Sequence, residues 1–174
     1  MRFFTGEGDF GNTTLFDGSE VRKDNAILEL FGIIDEVIAC IGLAISIAEK
    51  PELKKDLGDI QKNLSKIMSV IAGANGTDNT NFDIEKSIER LESKISFYGR
   101  NLKNPKSFTF PGKTIIGAVL DICRTITRKM ERRAVGFFQT NPENDQKIIA
   151  YLNRLSSFFY ILRRYVDTDI NTSI

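Results

Sequence analysis

The sequence predicts an all-α protein, five helices preceded by a glycine-rich N-terminal loop. Five separated segments repeat apolar residues at the ~3.6-residue helical period. Turn-forming residues gather between them, and no alternating strand/helix pattern runs along the chain. At 174 residues the chain can bury a sizeable core and is most simply one domain, 1–174, with residues 1–24 a loop and 25–168 the helical body. Hydrophobic residues make up 41% and charged residues 27%, the balance of an ordinary globular protein. The formal net charge of +1 argues against a nucleic-acid or membrane partner, so any basic site is local. The N-terminus MRFFTGEGDF lacks the apolar core of a signal peptide, and no apolar run reads as long enough to span a bilayer. Cys40 and Cys123 fall in apolar helical patterns, as buried thiols of a reducing cytoplasm do.

Residues 1–24 carry no helical period. Gly6-x-Gly8-x-x-Gly11 matches the dinucleotide fingerprint in letters, but that fingerprint requires a strand before it and a helix opening from it. Thr13 to Gly18 reads as loop, which rejects a Rossmann unit. What remains is a set of glycines whose backbone N–H groups could converge on an anion, beside the Thr13 and Thr14 hydroxyls and the Lys23 ammonium.

The first helix runs from Asn25 to about Ala48. Ile27, Leu30, Ile34, Val37, Ile38, Ile41 and Ile45 form its stripe, and further apolar residues on the rest of the circumference predict cover on two sides. A second stripe, Gly32, Asp35, Ala39, Gly42 and Ser46, is small enough for another helix to approach closely. Asp35 within it calls for a cationic partner, because an unpaired buried charge costs several kcal/mol. Pro51 opens a second helix that runs to about Ala72, with Ile60, Leu64, Ile67, Met68 and Ile71 inward. Asp83 fits the N-cap of a third, with Ile84, Ile88, Leu91, Ile95 and Tyr98, ending near Gly99. A connector with two prolines follows. Its Phe108 and Phe110 predict either a plug for the bundle end or an apolar lid over a ligand. Gly112-Lys113-Thr114 resembles a P-loop tail, but Ser107 stands where the upstream glycine is required.

The fourth helix, about Thr114 to Phe138, carries Asp121-Ile-Cys-Arg-Thr-Ile-Thr-Arg-Lys-Met-Glu-Arg-Arg133. Ile116, Val119, Cys123, Ile126, Met130, Ala134 and Phe137 make its apolar stripe. Arg124, Arg128 and Glu131 line one edge of that stripe, with Asp121 and Arg132 just beyond. Such a seam between core and water could hold an anion in guanidinium forks, although a solvated basic face is the simpler alternative. This edge is also the supplier for Asp35, in the same chain or a neighbouring one. The fifth helix spans about Glu143 to Val166, with Ile148, Leu152, Leu155, Phe159 and Leu162 inward. Asn153, a poor mid-helix residue, flanks that stripe where its amide could read a polar ligand. With no histidine in the chain, Ser/His and Cys/His nucleophiles and the common zinc sites are excluded.

Four blocks occur in order: Thr5-x-x-Gly8-Asp9-x-Gly11-x-Thr13-Thr14 with Lys23; Gly32-x-x-Asp35-Glu36 with Gly42-Leu43; Phe108-x-x-Pro111-Gly112; and Arg124-Thr-x-x-Arg128-x-x-Glu131-Arg-Arg133 with Tyr151-Leu-Asn-Arg-Leu-Ser156. Together they resemble the propanediol-utilisation (PduO) type of ATP:cobalamin adenosyltransferase over essentially the whole chain. The resemblance implies an up-and-down five-helix bundle, a homotrimer with sites between subunits, and transfer of the 5′-deoxyadenosyl group of ATP to the cobalt of cob(I)alamin with release of triphosphate. It implies ATP and cobalamin as ligands and Mg²⁺ bridging the triphosphate oxygens, and it leaves room for a reductase and a cobalamin-dependent enzyme as partners.

By the same resemblance residues 1–24 form an ATP-binding loop, in which Thr5, Gly6, Glu7, Gly8, Thr13, Thr14 and Lys23 wrap the triphosphate. Arg128, Glu131 and Arg132 bind ATP from the fourth helix and Asn153 from the fifth. Asp35 and Arg124 match an ion pair across the subunit boundary, and Phe108 matches the aromatic beneath the corrin. Catalytic roles thus fall on Arg128, Phe108, Asp35 and Arg124, with Phe108 and Asp35 on the cobalamin side. The chain departs from the family pattern at Gly6 and Phe10, where basic residues are common. It departs again at Ile38 for Asn, Lys113 for Gly, Asp121 for His and Ser157 for Asp. A weakened homologue that only carries or senses ATP or cobalamin is the alternative.

Overall fold

A computed structural model describes residues 6, 8–15, 18–73, 82–105, 107–139 and 145–169. Five helices dominate: α1 (Ala26–Ile47), α2 (Pro51–Ile71), α3 (Ile84–Gly99), α4 (Ile115–Phe138) and α5 (Asp145–Asp169). Their ends follow local chemistry. The Asn25 side chain accepts from the Ile27 N–H, Asp83 from the Lys86 N–H, and Thr114 from the Gly117 N–H, each satisfying an N–H that a helix start leaves unpaired. Pro51 opens α2 where its missing N–H costs nothing.

α4 is the central helix. It packs most extensively on α5 and then on α1, while α2 lies against α1 and α3 against α5. The core runs through these layers, with Leu30, Ile34, Val37 and Ile41 from α1, Leu120, Cys123 and Met130 from α4, and Tyr151, Leu155 and Phe159 from α5 all buried. Each large side chain so enclosed contributes roughly 1.5–3 kcal/mol. All five α5 positions expected inward are buried, and Tyr151 and Phe158 join them. On α4 the buried face is turned slightly from the expected stripe. Leu120 and Thr127 are enclosed, Ile116, Ile126 and Phe137 are half-buried, and Thr127 bonds back to the Cys123 carbonyl at 2.7 Å.

Two features correct the sequence reading. The N-terminal segment is not loop throughout. Asn12–Thr14 (β1) and Glu20–Arg22 (β2) pair antiparallel, Thr13 opposite Val21. Three-residue strands are too short to show alternation, so the hairpin left no period to read. The second concerns α1, which at 22 residues and a mean hydropathy of 2.2 is long and apolar enough by length and composition to cross a membrane. Its packing between α2 and α4 accounts for one face, yet Gly32, Asp35, Ala39, Leu43 and Ser46 stay exposed in the single chain. The small-residue stripe is thus uncovered except at Gly42, which is half-buried beside Gln61 of α2, and Asp35 is not the buried carboxylate that the sequence suggests.

Candidate active site

α4 sorts its cations into two groups. Arg124 is held by Asp121, one turn back, through Nε at 2.9 Å and a second nitrogen at 3.1 Å. That hydrogen bond keeps the Arg124 guanidinium above its usual pKa. Lys129 reaches Glu36 and Arg133 reaches Glu29, both on α1. Arg128 and Arg132, one turn apart, are exposed and have no side-chain partner among the described residues. Paired cations are already neutralised. These two remain available to an anion.

Beside them the structure joins two residues that the sequence singled out separately. The Asn153 amide of α5 donates to Oε1 of Glu131 on α4 at 2.9 Å. Asn153 Oδ1 in turn accepts from Arg154, whose Nε donates to Glu92 of α3. A half-buried carboxylate and amide are therefore fixed by a chain of polar contacts across three helices, which limits the rotamers they lose on binding.

The glycine loop is organised by tight turns. Gly6, Gly8 and Gly11 all have positive φ, and the Gly11 N–H donates to the Gly8 carbonyl at 3.1 Å. The Lys23 N–H donates to the Gly11 carbonyl at 2.8 Å, closing the hairpin onto the loop. A methyl group at Gly8 would lie 2.9 Å from Lys23 Nζ and 3.0 Å from the Asn12 carbonyl oxygen. Only glycine lets the ammonium lie this close to the loop backbone. Thr13 is half-buried and Thr14 exposed on β1. Thr5 and Glu7 lie outside the described residues. Arg22, a second basic residue of the hairpin, is paired with Asp24.

Phe108 and Phe110 are 80% and 78% exposed and stack edge-to-face at 5.1 Å. They do not plug the bundle end, which leaves the alternative of an apolar surface free to cover something else. Asp35 is exposed on α1 and has no partner within the chain among the described residues, because Arg124 is taken by Asp121. A cavity of about 350 Å³ lies between α2, α3 and α5, and none of the residues expected to bind ATP or cobalamin lines it. Tyr98 and Lys94 satisfy the buried Asp56 at its edge.

The pattern of the family described as cobalamin adenosyltransferase matches residues 3–166. The chain belongs to that family. It is 33% identical over 172 residues to a corrinoid adenosyltransferase of Citrobacter freundii, covering 96% of both chains. It is 34% identical to the corrinoid adenosyltransferase of Bacillus subtilis (strain 168), covering 96% of this chain and 87% of that one. Among solved structures it resembles a variant PduO-type ATP:corrinoid adenosyltransferase from Lactobacillus reuteri, complexed with cobalamin and ATP. The TM-score is 0.83 at 26% identity, over 95% of this chain and 91% of the other. In this chain the five-helix body sets Arg128 and Arg132 of α4, unpaired among the described residues, on the helix that also carries the Asn153–Glu131 contact. The signals that sequence reasoning missed are the hairpin, which is too short for a period, and Arg163, a buried cation of α5 that nothing in the residue pattern singled out.

Proposed function

We infer that this chain adenosylates reduced cobalamin, transferring the 5′-deoxyadenosyl group of ATP to cobalt and releasing triphosphate. One observation carries the reading at the level of residues. Among the described residues, Arg128 and Arg132 are left unneutralised on a helix that pairs its other cations. A polyphosphate is the ligand that such a pair fits. Kinship with the corrinoid adenosyltransferases favours turnover over a carrier or sensor without catalysis.

Cob(I)alamin is itself a strong nucleophile, and triphosphate leaves without protonation. The protein's tasks are therefore to align cobalt with C5′ and to neutralise charge on the leaving oxygens. Arg128 and Arg132 serve the triphosphate from α4, Lys23 and the Gly6, Gly8 and Thr13–Thr14 backbone and hydroxyls from the hairpin, with Thr5 and Glu7 assigned to the same loop. Glu131 and Asn153, locked to each other, suit the nucleoside. Among the described residues no cluster of three or more Asp, Glu or Cys side chains could hold a metal. Mg²⁺ is commonly bound through phosphate oxygens and water with one or two carboxylates. This donor set fits a Mg²⁺ that arrives on the triphosphate, where it would neutralise oxygen charge.

Phe108 presents an apolar ring suited to the lower face of the corrin, with the hypothesis that it excludes the lower axial ligand and eases reduction of the cobalt(II) precursor. Asp35 and the open stripe of α1 suit a neighbouring subunit, so a homotrimer with sites between subunits fits both. Arg124 of that neighbour would then share its charge between Asp121 and Asp35. The two free thiols suit a reducing cytoplasm, and a separate reductase would have to supply cobalt(I). The test is purified protein with ATP, Mg²⁺ and chemically reduced cobalamin, followed by absorbance. Formation of the cobalt–carbon bond is expected; ATP and cobalamin binding with no adenosylcobalamin would instead establish the carrier.

A further inference from the structure

Arg163 on α5 is the one basic side chain that the described residues enclose, at 2% exposure. Burying a guanidinium is unfavourable unless its donors are matched. Two of its nitrogens point at a single residue of the connector. One donates to Thr109 Oγ1 at 2.7 Å and another reaches the Thr109 carbonyl oxygen at 3.5 Å. Its Nε makes no hydrogen bond but lies 3.7 Å from Oδ1 of Asp121. That oxygen already accepts from Arg124 Nε at 2.9 Å. One carboxylate thus sits between two guanidinium groups, and Thr109 is the residue between Phe108 and Phe110.

The connector needs such an anchor. Residues 101–114 form neither helix nor strand among the described positions, and Phe108 is exposed, so packing does not fix its ring. An unanchored loop must pay the entropy of ordering each time a ligand lands beneath it.

We propose that Arg163 is a positioning residue, holding Thr109, and through it the Phe108 ring, in register with the Asp121–Arg124 pair on α4. The inference rests on the adenosyltransferase reading for its catalytic meaning, but the anchor itself is a property of this chain alone. Arg163 touches no substrate. It sets where Phe108 waits and shares Asp121 with Arg124, so the connector and the charge seam of α4 move as one unit.

Two variants separate this from a merely structural role. Thr109→Val removes the Oγ1 acceptor and keeps the carbonyl contact, at a half-buried position outside the helices, whereas Arg163→Gln removes the charge. In the full-length protein without ligands, limited chymotryptic cleavage after the exposed Phe108 should quicken several-fold in both. Affinity for Mg-ATP should stay within about twofold. The share of bound cob(II)alamin whose electron paramagnetic resonance spectrum lacks the lower axial ligand should fall about tenfold, the scale of a misplaced positioning group. If folded Thr109→Val protein is cleaved and binds cob(II)alamin like the parent, the anchor is wrong. If the parent forms no adenosylcobalamin, the functional reading falls instead, and the cleavage comparison alone then decides the anchor.

Discussion

At the scale of single residues, function and stability separate cleanly on α4. Arg128 is exposed and unpaired among the described residues, so Arg128→Ala should leave thermal unfolding unchanged. The loss of a charge-assisted contact to the leaving triphosphate should lower kcat/KM for ATP by about 10²–10³, read in the absorbance assay. Phe108→Ala should likewise spare stability, because the ring is 80% exposed. It should cut adenosylation far more than Mg-ATP affinity, measured by calorimetry on the same preparation. Equal losses in both would remove Phe108 from the corrin side. Arg128, Glu131, Asn153 and Phe108 were legible as residue types out of place: cations on a core edge, an amide in mid-helix, aromatics in a loop. Partnership was not legible. Periodicity shows which side of a helix a residue occupies, but it does not show that Asp121 claims Arg124 or that Asp24 claims Arg22. Arg163 escaped for a related reason. A charge beside an apolar stripe reads as solvated until the connector is seen to close over it.

At the scale of elements, helix ends came out within about three residues of expectation because their caps are written locally. The hairpin did not, since its strands are three residues each. The start of α4 is tied to the end of α5. Thr114 Oγ1 accepts from the Gly117 N–H and donates to Asp167 at 2.9 Å. A methyl group on Gly117 would lie 2.3 Å from Asp167 Oδ1 and 2.6 Å from Thr114 Oγ1. Gly117→Ala should therefore break both the cap and the cross-link, destabilising the protein by roughly 2–4 kcal/mol in urea unfolding. α3 carries a pH dependence. The Lys86 backbone N–H, helped by the Lys86 side chain, holds the Asp83 carboxyl below its ordinary value of 3.8. A depressed folded value means that the cap's contribution is complete above pH 3.8 and is lost as pH falls through the lower folded value. Exchange at the first amides of α3 should accelerate over that acid window, and Asp83→Asn should remove the dependence.

At the scale of the whole molecule, the five-helix bundle could be read from five apolar periods, but the partner of Asp35 could not. α1 is strongly apolar yet leaves Gly32, Asp35, Ala39 and Leu43 exposed. A sequence records such a face without recording what covers it. Under the proposed assembly Asp35 meets Arg124 of a neighbouring subunit, and Asp35→Asn should weaken both assembly and turnover. Light scattering beside the absorbance assay checks this. Everything in the account turns on one polyphosphate being gripped from two directions, by the hairpin with Gly8 and Lys23 and by Arg128 and Arg132 of α4. A crystal structure with Mg-ATP tests that most directly. The triphosphate oxygens should lie within hydrogen-bonding reach of both elements in at least one site, whether these come from one subunit or from two. A nucleotide bound to α4 while the hairpin stands apart from it in every subunit would contradict the account.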